Sequence, residues 1–452
     1  MGRITFRYLV LSGIVQTKGN VVVVGKGKMI GRISICGMLA VFAASSFGEK
    51  LTMDEAIRLA KRNNGTLKAA ISDIVAARAR RTIANSAFLP TLTPSIVYND
   101  RLFQLSGAPD VASSGTTTQA DLTWRPLDAG QRQAQLRAAT ESLSAQGAQT
   151  RQVLRELIFD VEQDFLETLR AQELEKVANA QQERADKVLD QTKTRVRVGD
   201  AARRETLQAE ADALNAKVNA IGAKNRTNTN SASLKAIIGL QRDYTVLDLD
   251  PVYFVPSTDL PATVEEAVET GLKSRPDLMA RRKNLDSQVS GLRGTEINAG
   301  LTWALDFSYN RQFSPDLSSN RNTGLIFSYP LFDGGKSKAL VVGGKAGVDA
   351  SMALLDQSVK NARSEIEANF LTYHQDQLRL TSADLALKAA RLNYEAADGS
   401  QRAGAATLID VITAQVSLVT AESNYIEATY DVLISQLKLR LVTGLLMPGE
   451  DA

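Results

Sequence analysis

Two long tracts of the chain, residues 131–196 and 336–397, contain no proline and carry apolar side chains at three-four spacing among charged and amide residues. In the first, Leu154, Leu157, Ile158, Val161, Phe165 and Leu169 make a narrow stripe, as on a helix with a coiled-coil-like seam. At about 1.5 Å per residue such a tract runs on the order of 100 Å if continuous, a rod for which a compact domain has no use. Each tract ends in a glycine turn, at Gly199 and Gly404, and a return helix follows over residues 202–238 and 406–442. Elsewhere the period changes to two. Leu301, Trp303, Leu305, Phe307 and Tyr309 alternate with Thr302, Ala304, Asp306, Ser308 and Asn310, which predicts a strand with one apolar aromatic face and one polar face. Residues 92–99, 118–124 and 323–329 predict three more strands, each about long enough for a tilted span of a bilayer. They pair as two hairpins. The first has a polar loop containing Gly107, Pro109 and Ser113-Ser114-Gly115, and the second a loop over residues 314–320.

These patterns occur twice in the same order. Laying Gly404 over Gly199, an offset of 205, also matches Arg402 with Arg197, Asp410 with Glu205, Ala414 with Ala209, and Gly444-Leu445 with Gly239-Leu240. A short capped helix opens each half, with Thr52 and Glu55 in the first and Thr263 and Glu266 in the second. A second helix follows, over residues 67–87 and 277–297, and Arg275-Pro276-Asp277-Leu278 marks the break in the second half. Matched strand exits follow each hairpin: Trp124-Arg125-Pro126-Leu127-Asp128-Ala129-Gly130 and Tyr329-Pro330-Leu331-Phe332-Asp333-Gly334-Gly335. Here proline is expected to stop the strand and glycine to turn the chain into the long helix. The organisation expected is a leader over 1–48, a first repeat over 49–240 (helices, β-hairpin, long helical hairpin), a linker over 241–261 with Pro251, Pro256 and Pro261, a second repeat over 262–446, and a tail over 447–452.

Composition supports long helices over globules: of 452 residues 44% are hydrophobic, yet only 6% are aromatic and 11 are proline. The formal charge of +3 comes from the leader, where six basic residues and no acid stand in residues 1–48; without them 47 basic residues face 50 acidic ones. Nothing in that balance calls for nucleic acid. Lys26, Lys28 and Arg32 precede an apolar run over residues 33–47 closed by Ala43, Ala44, Ser45 and Ser46, which resembles a secretory signal peptide and is too short for a spanning helix. Met29 stands where such a peptide would begin, so residues 1–28 read as an over-extended start. Cys36, the only cysteine, lies inside this run, and bulky Ile35 stands where a lipid-attachment box needs a small residue.

Catalysis finds little support. His374, the only histidine, sits in a helical tract and reads as a seam or surface residue, and no G-x-S-x-G is present to present a nucleophile. Gly334-Gly335-Lys336-Ser337 ends like a phosphate loop, but Pro330 occupies the position of its first glycine, so it reads as a turn. No H-E-x-x-H or EF-hand spacing occurs, and neither a metal nor another cofactor is expected.

Four strands cannot close a barrel, and an open edge is not tolerated in lipid, so strands in a membrane require several chains to share one barrel. Three chains give about twelve strands. A periplasmic coiled-coil scaffold without a pore is the alternative from a different class, and it explains the helices but neither the leader nor the alternating aromatics. The doubled cap helix, Arg275 to Leu278, Pro330 to Gly335, the paired glycine turns and the closing Gly444-Leu445-Leu446 together resemble the TolC-like outer-membrane efflux protein family (outer membrane factors) over residues 51–446. The resemblance implies a mixed, mainly α fold: long coiled-coil-like helices in an α-barrel, with a homotrimeric 12-stranded transmembrane β-barrel. It implies a passive export conduit of a tripartite efflux or type I secretion system in the outer membrane of a Gram-negative bacterium, with a long periplasmic part. Its partners are then a periplasmic adaptor (membrane fusion) protein and an inner-membrane transporter of RND or ABC type. Carried over by position, Arg197, Gly199, Arg402 and Gly404 mark tips where an adaptor docks, and Glu205 and Asp410 mark the pore entrance. Gln401, Ala406 and Thr413 stand where latching groups occur in some members. Other readings leave Glu205 and Asp410 as solvated helix residues near Arg203, Arg204 or Arg402. The exported cargo is not legible.

Overall fold

The computed structural model describes residues 50–103, 111–199, 201–240, 247–251, 260–445 and 447. The expected leader with Cys36, the loop glycine and proline at 107 and 109, Asp200, most of the linker, Leu446 and the tail beyond Met447 lie outside the described residues. All described residues belong to one compact unit, Lys50–Ala452.

Twelve elements follow in order: α1 (Met53–Asn63), α2 (Gly65–Ser86), β1 (Thr91–Phe103), β2 (Val111–Asp128), α3 (Gln131–Arg197), α4 (Arg203–Ile238), α5 (Val264–Ser274), α6 (Pro276–Ala299), β3 (Thr302–Ser314), β4 (Ser318–Ser328), α7 (Lys336–Arg402) and α8 (Leu408–Val442). The proline-free tracts are single helices, α3 and α7, of 67 residues each. Thr52 caps α1 by accepting from the Glu55 amide at 3.3 Å, and Thr263 caps α5 by accepting from the Glu266 amide at 3.2 Å. The Glu266 carboxylate reaches one residue further back than a reciprocal box requires, to the Ala262 amide at 3.0 Å.

The strands form one antiparallel sheet in the order β1-β2-β3-β4. They run longer than the alternation predicts. β2 continues through Pro126 to Asp128, because a register shift between Trp124 and Leu127 lets the chain keep pairing with β3 beyond the residue that cannot donate. Proline therefore bends this strand instead of stopping it. Ser113, Ser114 and Gly115 belong to β2 rather than to the loop, and the β3–β4 loop contracts to residues 315–317. The register puts Leu92, Leu122, Tyr309 and Trp303, Phe327 on one face, while Asp121 faces Asn310 and Thr93 on the other. On the polar face the Arg125 guanidinium meets Asp306 at 2.5 Å and Asn310 donates to Asp121 at 2.5 Å. The apolar face lies open, with Ile96 75% and Leu92 66% exposed.

Below the sheet α3 is the central rod. Its N-terminal half lies between α2 and α6, and its C-terminal half between α4 and α8; α7 packs on α6 and then on α8. Side chains fix both levels: Thr150 donates to Ala70 O at 3.1 Å, Lys283 meets Glu141 at 2.9 Å, and Asn230 donates to Glu167 O at 3.0 Å. Two apolar cores sit midway along the rods. Ile57, Ile158, Phe165, Leu234, Ile238 and Leu437 join α1, α3, α4 and α8, and Ala267, Ile366, Phe370, Leu439 and Val442 join α5, α7 and α8. The predicted α3 stripe supplies the first of these. Arg275 and Asp277 of the predicted break pair with each other at 2.9 Å, and Arg275 also meets Glu365 of α7 at 2.6 Å. The break is thus also a cross-link. Burial works to raise the Asp277 carboxyl, but Arg275 holds it below the ordinary range.

Glu162 is fully buried beside the first core, and neither carboxylate oxygen has a hydrogen-bond partner. Burial pushes it up to about 8, with Arg440 opposing and Asp54 of α1 adding to the shift. A raised carboxyl binds its proton more tightly when folded, so its contribution is fully present below 4.5 and lost as pH rises toward 8. Glu162→Gln should therefore raise the thermal midpoint by several degrees at pH 7.5, at about 2–4 °C per kcal/mol, and leave it unchanged near pH 4.5. Differential scanning calorimetry at the two pH values checks this.

Candidate pore entrance at the hairpin tips

The turn from α3 to α4 is closed by Val198 N donating to Thr194 O at 3.2 Å and Gly199 N donating to Val196 O at 3.1 Å. In the turn from α7 to α8, Ala403 N donates to Gly399 O at 3.1 Å, Gly404 N to Gln401 O at 2.9 Å and Ala405 N to Ser400 O at 2.8 Å. Both reversals use the left-handed region, with φ 85° at Gly199 and 75° at Gly404, where any side chain is strained. That requirement explains the two glycines without appeal to function.

Glu205 and Asp410 occupy the same place, the third residue of the return helix. Asp410 accepts from the Thr407 amide at 2.8 Å and from its hydroxyl at 2.7 Å, and its own amide donates back to Thr407 Oγ1 at 3.3 Å, a complete capping box. The Thr407 hydroxyl and then its amide hold the Asp410 carboxyl below the ordinary range, so it is charged at neutral pH. Glu205 accepts from the Ala202 amide at 3.4 Å and lies 4.0 Å from Arg195, not from Arg203 or Arg204. Each carboxylate therefore serves the positive end of its own helix and stays open to solvent on its outer side. Arg197 is exposed, and Arg402 is engaged by Asp398 at 2.7 Å. At the latching positions Gln401 and Ala406 are half-buried, and the Thr413 hydroxyl donates to Ile409 O of its own helix at 2.8 Å.

The two hairpins are tied together higher up, by groups that sequence reasoning missed. Asp431 of α8 accepts from Arg170 of α3 at 3.1 Å and from Arg379 of α7 at 2.7 Å, while Arg170 also holds Glu167. Arg184 of α3 meets Glu422 of α8 at 3.4 Å. The knot edges a cavity of about 290 Å3 that Arg226 and Glu427 also line. In one dimension these residues look like solvated helix charges, and the repeat gives no help, since the position matching Asp431 is Arg226. His374 rests on the Phe370 ring at 4.7 Å on an exposed helix face, and Asp333 accepts from the Gly335 and Ser337 amides at 3.0 and 2.8 Å, as a turn does.

Among the described residues the tips gather no nucleophile with a base; they are the ends of two long helical hairpins. The outer membrane efflux protein model matches residues 56–240 and 268–445. The chain belongs to the outer membrane efflux protein family. It is similar to the outer membrane protein TolC of Vibrio cholerae, with 24% identity over 91% of this chain and 94% of that one. Its fold is that of the outer-membrane channel OprN (TM-score 0.77, 20% identity, covering 87% of this chain and 89% of that one) and of the Campylobacter jejuni CmeC outer membrane channel (TM-score 0.76, 19% identity, 87% and 85%). The chain is thus an outer-membrane channel protein for efflux or secretion, a non-enzymatic conduit, and the scaffold alternative falls away. Among the described residues no helix is long and apolar enough to cross a membrane.

Because Asp431 is the shared acceptor of two helices, Asp431→Asn should speed amide exchange in α3 around Arg170 and α7 around Arg379 while leaving the Ile57–Phe165 core protected. Hydrogen-exchange mass spectrometry checks this.

Proposed function

We propose that three copies of this chain join head to tail into a channel-tunnel, the passive export conduit of a tripartite efflux or type I secretion system. In this reading a periplasmic adaptor docks at the tips around Arg197, Gly199, Arg402 and Gly404, and an inner-membrane transporter supplies the energy. The observation that carries the reading is that every layer of the fold is open at the same two sides. The sheet ends in β1 and β4, the upper helical layer runs α2-α3-α6-α7, and the lower runs α4-α3-α8-α7. One side belongs to the first half of the chain and the other to β4 and α7.

Both helical edges are greasy where a single copy would keep them polar. On α7, Leu371, Leu378, Leu385 and Leu392 repeat every seven residues and are all exposed; on α4, Leu207, Leu214 and Ile221 do the same. The α4 face turned toward α3 is instead built of Ala209, Ala213, Ala216 and Ala220. Larger aliphatics outside and alanine inside is the distribution of a helix with a second neighbour still to come. Unlike edges that meet form a heterologous contact, which makes a ring when the rotation between copies closes. Three copies supply about twelve strands and a polar lumen face. The matched halves, 49–240 and 262–446, then arise by duplication and serve as pseudo-equivalent wall segments. Glu205 and Asp410 become two rings of three carboxylates that focus a negative potential at the entrance.

Two measurements test this. The purified protein should run as a heat-sensitive trimer and conduct in planar bilayers, whereas Leu378→Glu with Leu385→Glu should yield monomers without conductance; a conducting trimer in that variant sinks the seam. In the unaltered seam, Asp410→Ala should reduce cation preference and divalent block of single channels, and unchanged selectivity rejects the ring of carboxylates.

A further inference from the structure

The strand registers assign each sheet side chain to a face, and they put two arginines on the face that is otherwise apolar. Arg311 follows Trp303, Leu305, Phe307 and Tyr309 in steps of two along β3, and Arg321 of β4 pairs directly with Tyr309. Because Arg311 stands opposite Ser319, the two arginines are diagonal neighbours, with their Cα atoms about 7–8 Å apart. Both are exposed, and among the described residues neither has an ion pair, whereas Arg125 on the polar face is matched by Asp306. Among the described strand residues the acid of the apolar face is Asp100. It lies two strands away and six residues beyond Pro94, the β1 residue level with Arg311 through Ala120. Aromatic rings flank the pair: the Arg311 guanidinium lies over the Phe313 ring at 5.6 Å, and Tyr309 stands beside Arg321.

Two uncompensated charges contradict an apolar face unless their height explains them. They stand toward the end of the sheet that carries the 315–317 loop, away from the helices. From Leu301, just below β3, to Arg311 is ten residues, about 33 Å along the strand. At the 35–45° tilt of a barrel strand that is about 25 Å in height, the whole apolar band of an outer-membrane barrel. The guanidiniums therefore reach the headgroup level, where a lipid-facing arginine costs little and its planar fork can hold a phosphate through two hydrogen bonds. Resting on the reading of the sheet as the membrane part of the channel, but not on the ring, we infer that Arg311 and Arg321 form a binding site for the phosphate groups of an anionic lipid of the outer leaflet. Tyr309 and Phe313 are its aromatic walls. A zwitterionic headgroup offers a phosphate whose charge its own cation cancels, so the site selects lipid of net negative charge.

Titration of the detergent-solubilised protein with bisphosphorylated lipid A or with phosphatidylcholine, read as lipid adducts by native mass spectrometry, tests the site. The unsubstituted chain should hold lipid A more tightly than phosphatidylcholine. Arg311→Gln with Arg321→Gln should weaken lipid A binding about fivefold for each charge removed and leave phosphatidylcholine binding unchanged. Arg101→Gln, which takes an arginine from the polar face of β1, should alter neither. Undiminished lipid A binding in the double variant overturns the site, and so does an equal loss in Arg101→Gln. Equal affinity of the unsubstituted chain for the two lipids overturns it as well. Failure of that chain to float with phosphatidylcholine vesicles defeats the membrane reading itself, and the site falls with it. Should the double variant not fold, the two single variants are titrated in its place, and a loss in neither overturns the site.

Discussion

Backbone amides and carbonyls in hydrocarbon have no water to bond, and this chain leaves two long rows of them, on β1 and β4, without an internal partner. Almost every other feature is consistent with that constraint. A four-stranded sheet with one exposed aromatic face and one polar face is not a stable endpoint either in water or in lipid. The cheapest remedy for both edges at once is another copy of the same sheet, because β4 and β1 are unlike edges that a head-to-tail contact can match. The helical layers present their unlike edges on the same two sides, so in the proposed ring a single rotation between copies would satisfy sheet and rods together.

Cohesion within one copy follows a different rule. The cores midway along the rods are ordinary close-packed clusters of Ile, Leu and Phe, with α1 and α5 acting as short lids on the long helices. Away from them the contact surfaces thin to smaller clusters and single ion pairs: Ala213 and Ala216 against Ala185, Leu418 and Ala421 against Leu387, and Arg184 with Glu422. Small residues allow close approach but bury little apolar area, so the outer thirds of the hairpins gain less from packing than the middle does. Local opening should therefore concentrate toward the tips, the proposed entrance. The Arg170–Asp431–Arg379 knot stands at the boundary between these regimes, and Glu162 stands within the rigid one. A buried carboxylate without a hydrogen-bond partner weakens that centre as pH rises, a cost offset by the surrounding apolar contacts.

Charge at the tips also takes its meaning from backbone geometry. Asp410 and Glu205 are each placed at the third position of a helix, where unsatisfied amides favour an acid in any protein. Capping does not compete with the pore lining proposed for these residues, since the cap uses one side of the carboxylate and leaves the other facing solvent.

Periodicity and punctuation made much of the fold legible. Three-four spacing in proline-free tracts located α3 and α7 within a few residues, and alternation located all four strands, because both signals arise from one face of an element meeting a different medium. Glycines at 199 and 404 were readable because a left-handed turn excludes other residues. Strand ends were less so: nothing local says that β2 bends through Pro126, since that depends on β3 being there to pair with. The pairing of Arg275 with Glu365, the Asp431 knot and the isolation of Glu162 lie deeper still. The pairs join residues between 52 and 261 positions apart, whose side chains look like ordinary solvated helix charges until the rods are laid side by side. The sequence by itself determined the elements, their doubled order and the chemistry of each face. Only the tertiary structure decided which faces are covered within the chain and which are left open, because coverage is a property of neighbours in space.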